Sequence, residues 1–185
     1  YCELLKAIPE VAARHPNVVF QFAGTKLDRE RNVHHVQTTG ERLDGESPEQ
    51  CYEDNVAGRF ERNYEYLNVL DEEGKIAALR RCNFLMLPSY SEGFSMAILE
   101  AIATGKPVVC TAVGAMQDIL TSGENGEVIQ PGDTAGLIRG ILRLLDDPDY
   151  RNRAAELNAK YARENFSQTV IAKRLAALFA EALDK

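Results

Sequence analysis

Phe84-Leu85-Met86-Leu87-Pro88-Ser89-Tyr90-Ser91-Glu92-Gly93-Phe94-Ser95-Met96-Ala97-Ile98-Leu99-Glu100-Ala101-Ile102-Ala103-Thr104-Gly105-Lys106-Pro107-Val108-Val109-Cys110 is the stretch that decides the fold. Phe84 to Leu87 is a short, fully apolar run stopped by Pro88, the pattern of a buried strand. Ser95 to Ala103 reads as a helix and stops at Gly105. Val108-Val109-Cys110 is a second buried strand. The same rhythm extends in both directions. Upstream, Val18 to Ala23 is a strand ending at Gly24, Tyr64 to Val69 is another, and Asp71 caps a helix running to Arg81. Downstream come a short helix, Met116 to Thr121, and a strand, Glu127 to Gln130, closed by Pro131-Gly132. Asp133 then caps a helix to Leu145 with Leu137, Ile138, Ile141, Leu142 and Leu145 on one face. Strands that are continuous apolar runs alternating with helices specify an α/β chain: a Rossmann-like parallel sheet with helices on both faces.

The ends and one middle segment are less regular. Glu3 to Arg14 is helical, with Pro9 placed by its chemistry in the first turn of a second short helix. Thr25 to Glu61 is polar; it holds a short strand near Val33 to Thr38 and an acidic helix from Ser47 to Phe60, with Pro48 at its first position. Two helices, Asp149 to Glu164 and Ser167 to Leu183, finish the chain. Val170, Ile171, Leu175, Leu178 and Phe179 form a stripe on the last one that reads as core.

The 185 residues make one domain, with 45% hydrophobic and 26% charged residues. No apolar run approaches the roughly 18 residues a membrane span needs. The net charge of −7 argues against unspecific nucleic-acid binding. Cys2, Cys51, Cys82 and Cys110 form no Cys-x-x-Cys pair and read as buried thiols of a reducing cytoplasm. No metal-like cluster is visible, and the adjacent His34 and His35 read as polar surface. The Gly-x-Gly-x-x-Gly dinucleotide fingerprint is absent.

Ligands of an open parallel sheet bind beyond the carboxyl ends of its strands. Three loops fall there: Gly24-Thr25-Lys26, Pro88 to Ser95, and Thr111 to Ala115. In the second, Gly93 allows close backbone approach, and the helix opening near Ser95 aims N–H groups and positive dipole at an anion. Eight helical residues, the interval from Glu92 to Glu100, rise about 12 Å and turn about 80° past two full turns. The two carboxylates therefore flank the helix tip without touching. Carboxylates only accept hydrogen bonds, so beside a phosphate they must face hydroxyls. A nucleoside diphosphate sugar, with hydroxyls at both ends and an anion between, fits. The alternative is a solvated Glu100 and a Glu92 that merely partners the helix dipole. Lys26 and Lys106 are the basic side chains on this edge, or plain surface lysines. Tyr90 and Phe94 either line a sugar pocket or pack the loop on its helix.

The segment from Glu92 to Val109 closely resembles the hallmark of group 1 glycosyltransferases of the GT-B fold, including their Glu-x7-Glu pattern. Phe84 to Ser89, Val113-Gly114-Ala115, Gly123 to Gly126 and Pro131-Gly132-Asp133 follow the same family's order of turns. The resemblance spans residues 1–28 and 62–185. It implies the carboxyl-terminal half of such an enzyme: one donor domain over residues 1–185, with an atypical insert at about 29–61 and closing helices at 149–183. It implies transfer of a hexose-type sugar from a nucleoside diphosphate sugar, in cytoplasmic carbohydrate biosynthesis, with retention and without a metal or other cofactor. By the same resemblance Glu92 is catalytic and bonds donor-sugar hydroxyls, backbone at Gly93, Phe94, Ser95 and Met96 faces sugar or phosphates, and Glu100 grips the ribose. The base lies near Leu67, Asn68 and Val69, with Gly24 and Lys26 completing the donor site.

The sequence also departs from the family. The strand and the Arg- and Lys-bearing loop that normally open the donor domain precede the first helix and are not present, which leaves one slot of the sheet vacant or filled by other means. The acceptor-binding amino-terminal domain is also missing. Any membrane-surface association would run through that domain, and part of the last helix would be exposed, favouring self-association. Asp118 stands where the family carries Glu. A nucleotide-sugar epimerase of the same fold and a non-catalytic nucleotide-sugar-binding or scaffold domain remain the alternatives.

Overall fold

The computed structural model describes residues 1–25, 33–35 and 39–183. Seven helices and seven strands occur among these residues. In chain order they are α1 (Cys2–Arg14), β1 (Phe20–Ala23), β2 (Val33–His35), β3 (Arg42–Asp44), α2 (Pro48–Asn55), β4 (Tyr64–Asn68), α3 (Glu72–Arg81), β5 (Leu85–Leu87), α4 (Met96–Ala103), β6 (Val108–Thr111), β7 (Gly126–Ile129), α5 (Thr134–Asp146), α6 (Pro148–Phe166) and α7 (Gln168–Leu183).

The five expected parallel strands form, but not as one sheet. β1 pairs with β4, and β5, β6 and β7 form a separate parallel set. Between β1 and β5 runs a cleft of about 1630 Å³. Its walls extend from Val18 and Phe84 at the amino ends of the two strands to Gly24 and Pro88 at their carboxyl ends. β1 and β5 do not pair, and the gap runs the length of both strands, so it is the vacant slot of the sheet that the sequence leads one to expect. β2 and β3 form a small antiparallel hairpin that the sequence reading had only half identified.

Helices cover both faces of the sheet. All four residues of β6 are buried. Val109 points into a core built by α1, α5, β1 and the start of α6, while Val108 and Cys110 point into one built by α4 and the end of α6. Alternation along one strand thus feeds two cores.

Local chemistry sets the boundaries. Ser47, Asp71, Ser95, Asp133 and Asp147 each accept a backbone N–H of the helix they open. α1 corrects the expectation of a break at Pro9, which sits inside one continuous helix. The missing hydrogen bond costs about 3 kcal/mol; burial of Leu4, Leu5, Ala7, Ile8, Val11 and Ala12 along the same helix exceeds it. The expected helix at Met116 to Thr121 is instead a 3-10 turn over Gly114–Asp118. The expected core stripe of α7 is also corrected: the helix buries no residue, and Leu178 and Phe179 are 60% and 67% exposed. Helical periodicity identified an apolar face correctly, but nothing among the described residues covers it.

Several groups are held protonated by the fold. Burial pushes the Cys110 thiol up to about 12. The Tyr90 hydroxyl is likewise pushed up to about 12, by burial and then by the nearby Glu3 charge. Burial, with the Glu127 hydrogen bond, also raises Tyr150. Above about pH 9 the unfolded chain therefore binds fewer protons than the folded one. Stability is accordingly expected to fall as pH rises from about 9 to about 12, seen as a decreasing urea midpoint. A midpoint that rises over this interval would contradict it.

Candidate active site

The signature loop between β5 and α4 is fixed from below by the loop after β6. Thr111 Oγ1 donates to the carbonyl of Ser89, and the Ala115 N–H donates to the carbonyl of Gly93 at 3.1 Å. Gly114 has φ +58°, and a Cβ there would lie 2.4 Å from the carbonyl oxygens of both Glu92 and Gly93. The sequence reading placed this loop at the correct edge without detecting that it supports the other one.

From this support α4 rises with its N-terminus at the sheet's carboxyl edge. Ser95, 6% exposed, is its cap, with Oγ accepting the Ile98 N–H. The orphan N–H groups of the first turn project from that end. Gly93 has nothing within 4 Å of where a Cβ would sit, so the protein's own packing leaves this face open. Phe94 instead turns to α6, with its ring centroid 5.9 Å from that of Phe166, and Met96 is 62% exposed.

The two signature carboxylates are placed differently. Glu100 lines the cleft and pairs with Lys75 Nζ of α3 at 3.0 Å. The hydrogen bond to Glu100 holds Lys75 above the ordinary lysine value. Glu92 Oε1 accepts from Ser89 Oγ at 2.8 Å, and Glu92 is not among the residues lining the cleft, whereas its neighbours Ser89, Tyr90 and Ser91 are. Tyr90 donates to Glu3 Oε1 at 3.0 Å, tying the signature loop to α1; the Thr134 hydroxyl reaches the same carboxylate.

Across the cleft, two positions named from sequence meet directly. The Gly24 N–H donates to the Asn68 carbonyl at 2.9 Å, and the Tyr66 hydroxyl donates to the Gly24 carbonyl at 2.7 Å. Both residues have positive φ, +128° for Gly24 and +60° for Asn68. Glycine tolerates this freely and asparagine better than most side chains. Leu67 and Val69 line the cleft beside them, Val69 being 70% exposed.

Of the two basic residues named from sequence, only Lys106 is described, and it is not brought to this edge. Lys26 lies outside the described residues. Lys106 precedes β6 and so sits at its amino end; Nζ donates to the carbonyls of Arg80 and Cys82, closing the end of α3. The sequence reading missed Lys75, because only tertiary packing sets α3 beside α4. It also missed the approach of Cys2 and Cys51 to Glu46, since 49 residues separate the two thiols in the chain.

Comparison with known proteins agrees with this geometry. The sequence profile of the family described as glycosyl transferases group 1 matches residues 1–164. The D-inositol 3-phosphate glycosyltransferase of Corynebacterium efficiens is 30% identical over 169 residues, covering 90% of this chain and 40% of that protein. Among solved structures, Anabaena HepE in complex with UDP superposes with a TM-score of 0.73 at 21% identity, covering 95% of this chain and 44% of that one. The C-terminal domain of the group 1 family protein LpcC from Francisella tularensis superposes with a TM-score of 0.69 at 19% identity, covering 90% of this chain and 79% of that one. The chain spans about 40% of the length of the curated relatives it matches. Signature loop, parallel sheet and profile agree: the chain belongs to the group 1 glycosyltransferases, with the Rossmann-like architecture of their GT-B fold.

Proposed function

We propose that residues 1–185 form the donor nucleotide-sugar-binding domain of an enzyme that moves a hexose-type sugar from a nucleoside diphosphate sugar to an acceptor, with retention and without a metal in the transfer step. The observation that carries this reading is the convergence on one cleft of Glu100, Ala97 in the first turn of α4, Ser91 of the loop before it, and Gly24, whose N–H meets the Asn68 carbonyl beside exposed Val69.

Glu100 accepts ribose hydroxyls, with Lys75 Nζ paired to its carboxylate. The free N–H groups of α4 take the diphosphate, and the base lies against Leu67 and Val69. As the glycosidic bond to the diphosphate breaks, negative charge grows on the leaving group and positive charge on the sugar. The helix tip stabilises the first without needing to reorganise. Glu92 serves the sugar end, and its bond with Ser89 is exchanged for sugar hydroxyls on binding. The low exposure of Ser95, the turn of Phe94 towards Phe166 and the outward Met96 support backbone roles for these three residues. The complete reaction also requires the acceptor side of a two-domain cleft, and the exposed face of α7 favours self-association of the chain studied alone.

UDP serves as the first probe because a protein of the same fold binds it. Glu100→Ala removes a charged acceptor of ribose hydrogen bonds, worth about 1.5–3 kcal/mol, so calorimetry is expected to show UDP binding about 10–100-fold weaker with the fold intact by circular dichroism. Unchanged affinity across a nucleoside diphosphate panel would remove Glu100 from the site. Gly114→Ala places a methyl group against the Glu92 and Gly93 carbonyls; it is expected to cost about 1–3 kcal/mol of stability and to weaken the same binding by shifting the loop. A variant with wild-type melting and binding would refute the proposed support. The 185-residue chain is expected to bind nucleotide sugar weakly and to catalyse no transfer from a panel of labelled donors. Robust turnover by the chain alone would overturn the division of labour.

A further inference from the structure

Away from the α4 tip, where α1 begins, two thiols and a carboxylate from distant parts of the sequence converge. Cys2 Sγ lies 3.6 Å from the backbone carbonyl of Glu46, and Cys51 Sγ lies 3.1 Å from Glu46 Oε2. The two sulfurs and the carboxylate all lie within 4.8 Å of one another. Lys6 Nζ sits 2.8 Å from Glu46 Oε2. Cys51 is 3% exposed, Cys2 is half-buried, and Glu46 opens to solvent.

We propose that Cys2, Cys51 and Glu46 form a binding site for a thiophilic divalent cation of the zinc type, with solvent water as the fourth ligand. The chemistry suits such an ion: it prefers sulfur, accepts one carboxylate, and is commonly held by three protein ligands with one open position. Metal–sulfur bonds of about 2.3 Å at tetrahedral angles put two sulfurs about 3.8 Å apart, so side-chain adjustment of roughly 1 Å closes the shell. Charge also balances. Two thiolates and a carboxylate exceed the ion by one negative charge, and the Lys6 ammonium offsets it from the outer layer. A disulfide would need the sulfurs alone and would not account for the contact of both with Glu46. Burial raises the Cys51 thiol, and the ion displaces that proton on binding, so affinity rises with pH. The bound ion would pin the segment around Glu46 and α2 to the start of α1.

Cobalt titration tests the site. The metal-stripped chain, kept reduced with a phosphine that does not ligate, is titrated with Co²⁺ alone and then with Zn²⁺. A sulfur-to-cobalt charge-transfer band and tetrahedral d–d absorption, saturating at one ion per chain and bleached by zinc, are expected. Cys2→Ser and Cys51→Ser are expected each to weaken the charge-transfer band and lower affinity. Glu46→Gln, at an exposed position, retains the band with affinity reduced at least about tenfold. The double variant Cys82→Ser/Cys110→Ser is expected to behave as wild type. If Cys51→Ser does not fold, the half-buried Cys2→Ser and the exposed Glu46→Gln still decide. An octahedral cobalt spectrum, a band unaffected by Cys2→Ser, or a Cys2–Cys51 disulfide found by mass spectrometry under the same reducing conditions would overturn the proposal.

Discussion

The absence of a side chain at Gly114 is the constraint on which the site depends. Two carbonyl oxygens of the signature loop lie where its Cβ would be, and the flanking residues Thr111 and Ala115 supply a hydroxyl and an N–H to that same loop. The loop therefore rests on backbone, which positions it more rigidly than contact between flexible side chains would. Because α4 begins where this loop ends, its dipole and free N–H groups inherit that rigidity.

Among the described residues β1 and β5 flank a vacant slot of the sheet. Each strand is held from its far side, β1 by β4 and β5 by β6. α1 and α5 pack together in one core that also takes β1 and Val109 of β6, so the two strand sets are joined through helices and not through a continuous ladder. The cleft walls consequently combine apolar strand residues such as Phe20 and Leu85 with polar loop residues at the carboxyl ends. Residues of α3, α4 and the turns after β1 and β4 meet at that end because parallel strands deliver all their following loops to one edge.

Charge is allocated by the same packing. Lys75 serves Glu100, Lys106 closes α3, and Arg143 pairs with the nearly buried Glu127, which also meets the Tyr150 hydroxyl. Removing Arg143 would leave the nearly buried Glu127 carboxylate without its ion-pair partner, so this contact constrains structure more than it adds to stability. Asn158, fully buried, uses its amide N–H groups to join the carbonyls of Lys106 and Asn125, so α6 is registered against the turns before β6 and β7.

Strands, helices and the signature loop were legible in the sequence because they rest on local rules: apolar runs for buried strands, Ser95 and Asp71 as caps, glycine and proline as stops. The place of Glu100 on α4 was legible because a helix fixes the spacing of its own residues. Pro9 misled because tertiary burial outweighed a local penalty, and α7 misled because periodicity reports an apolar face and not what covers it. The pairing of Lys75 with Glu100, the Gly24–Asn68 junction and the meeting of Cys2 with Cys51 were decided by tertiary structure alone. Each joins residues whose separation along the chain carries no regular period, so only the packed fold brings them together.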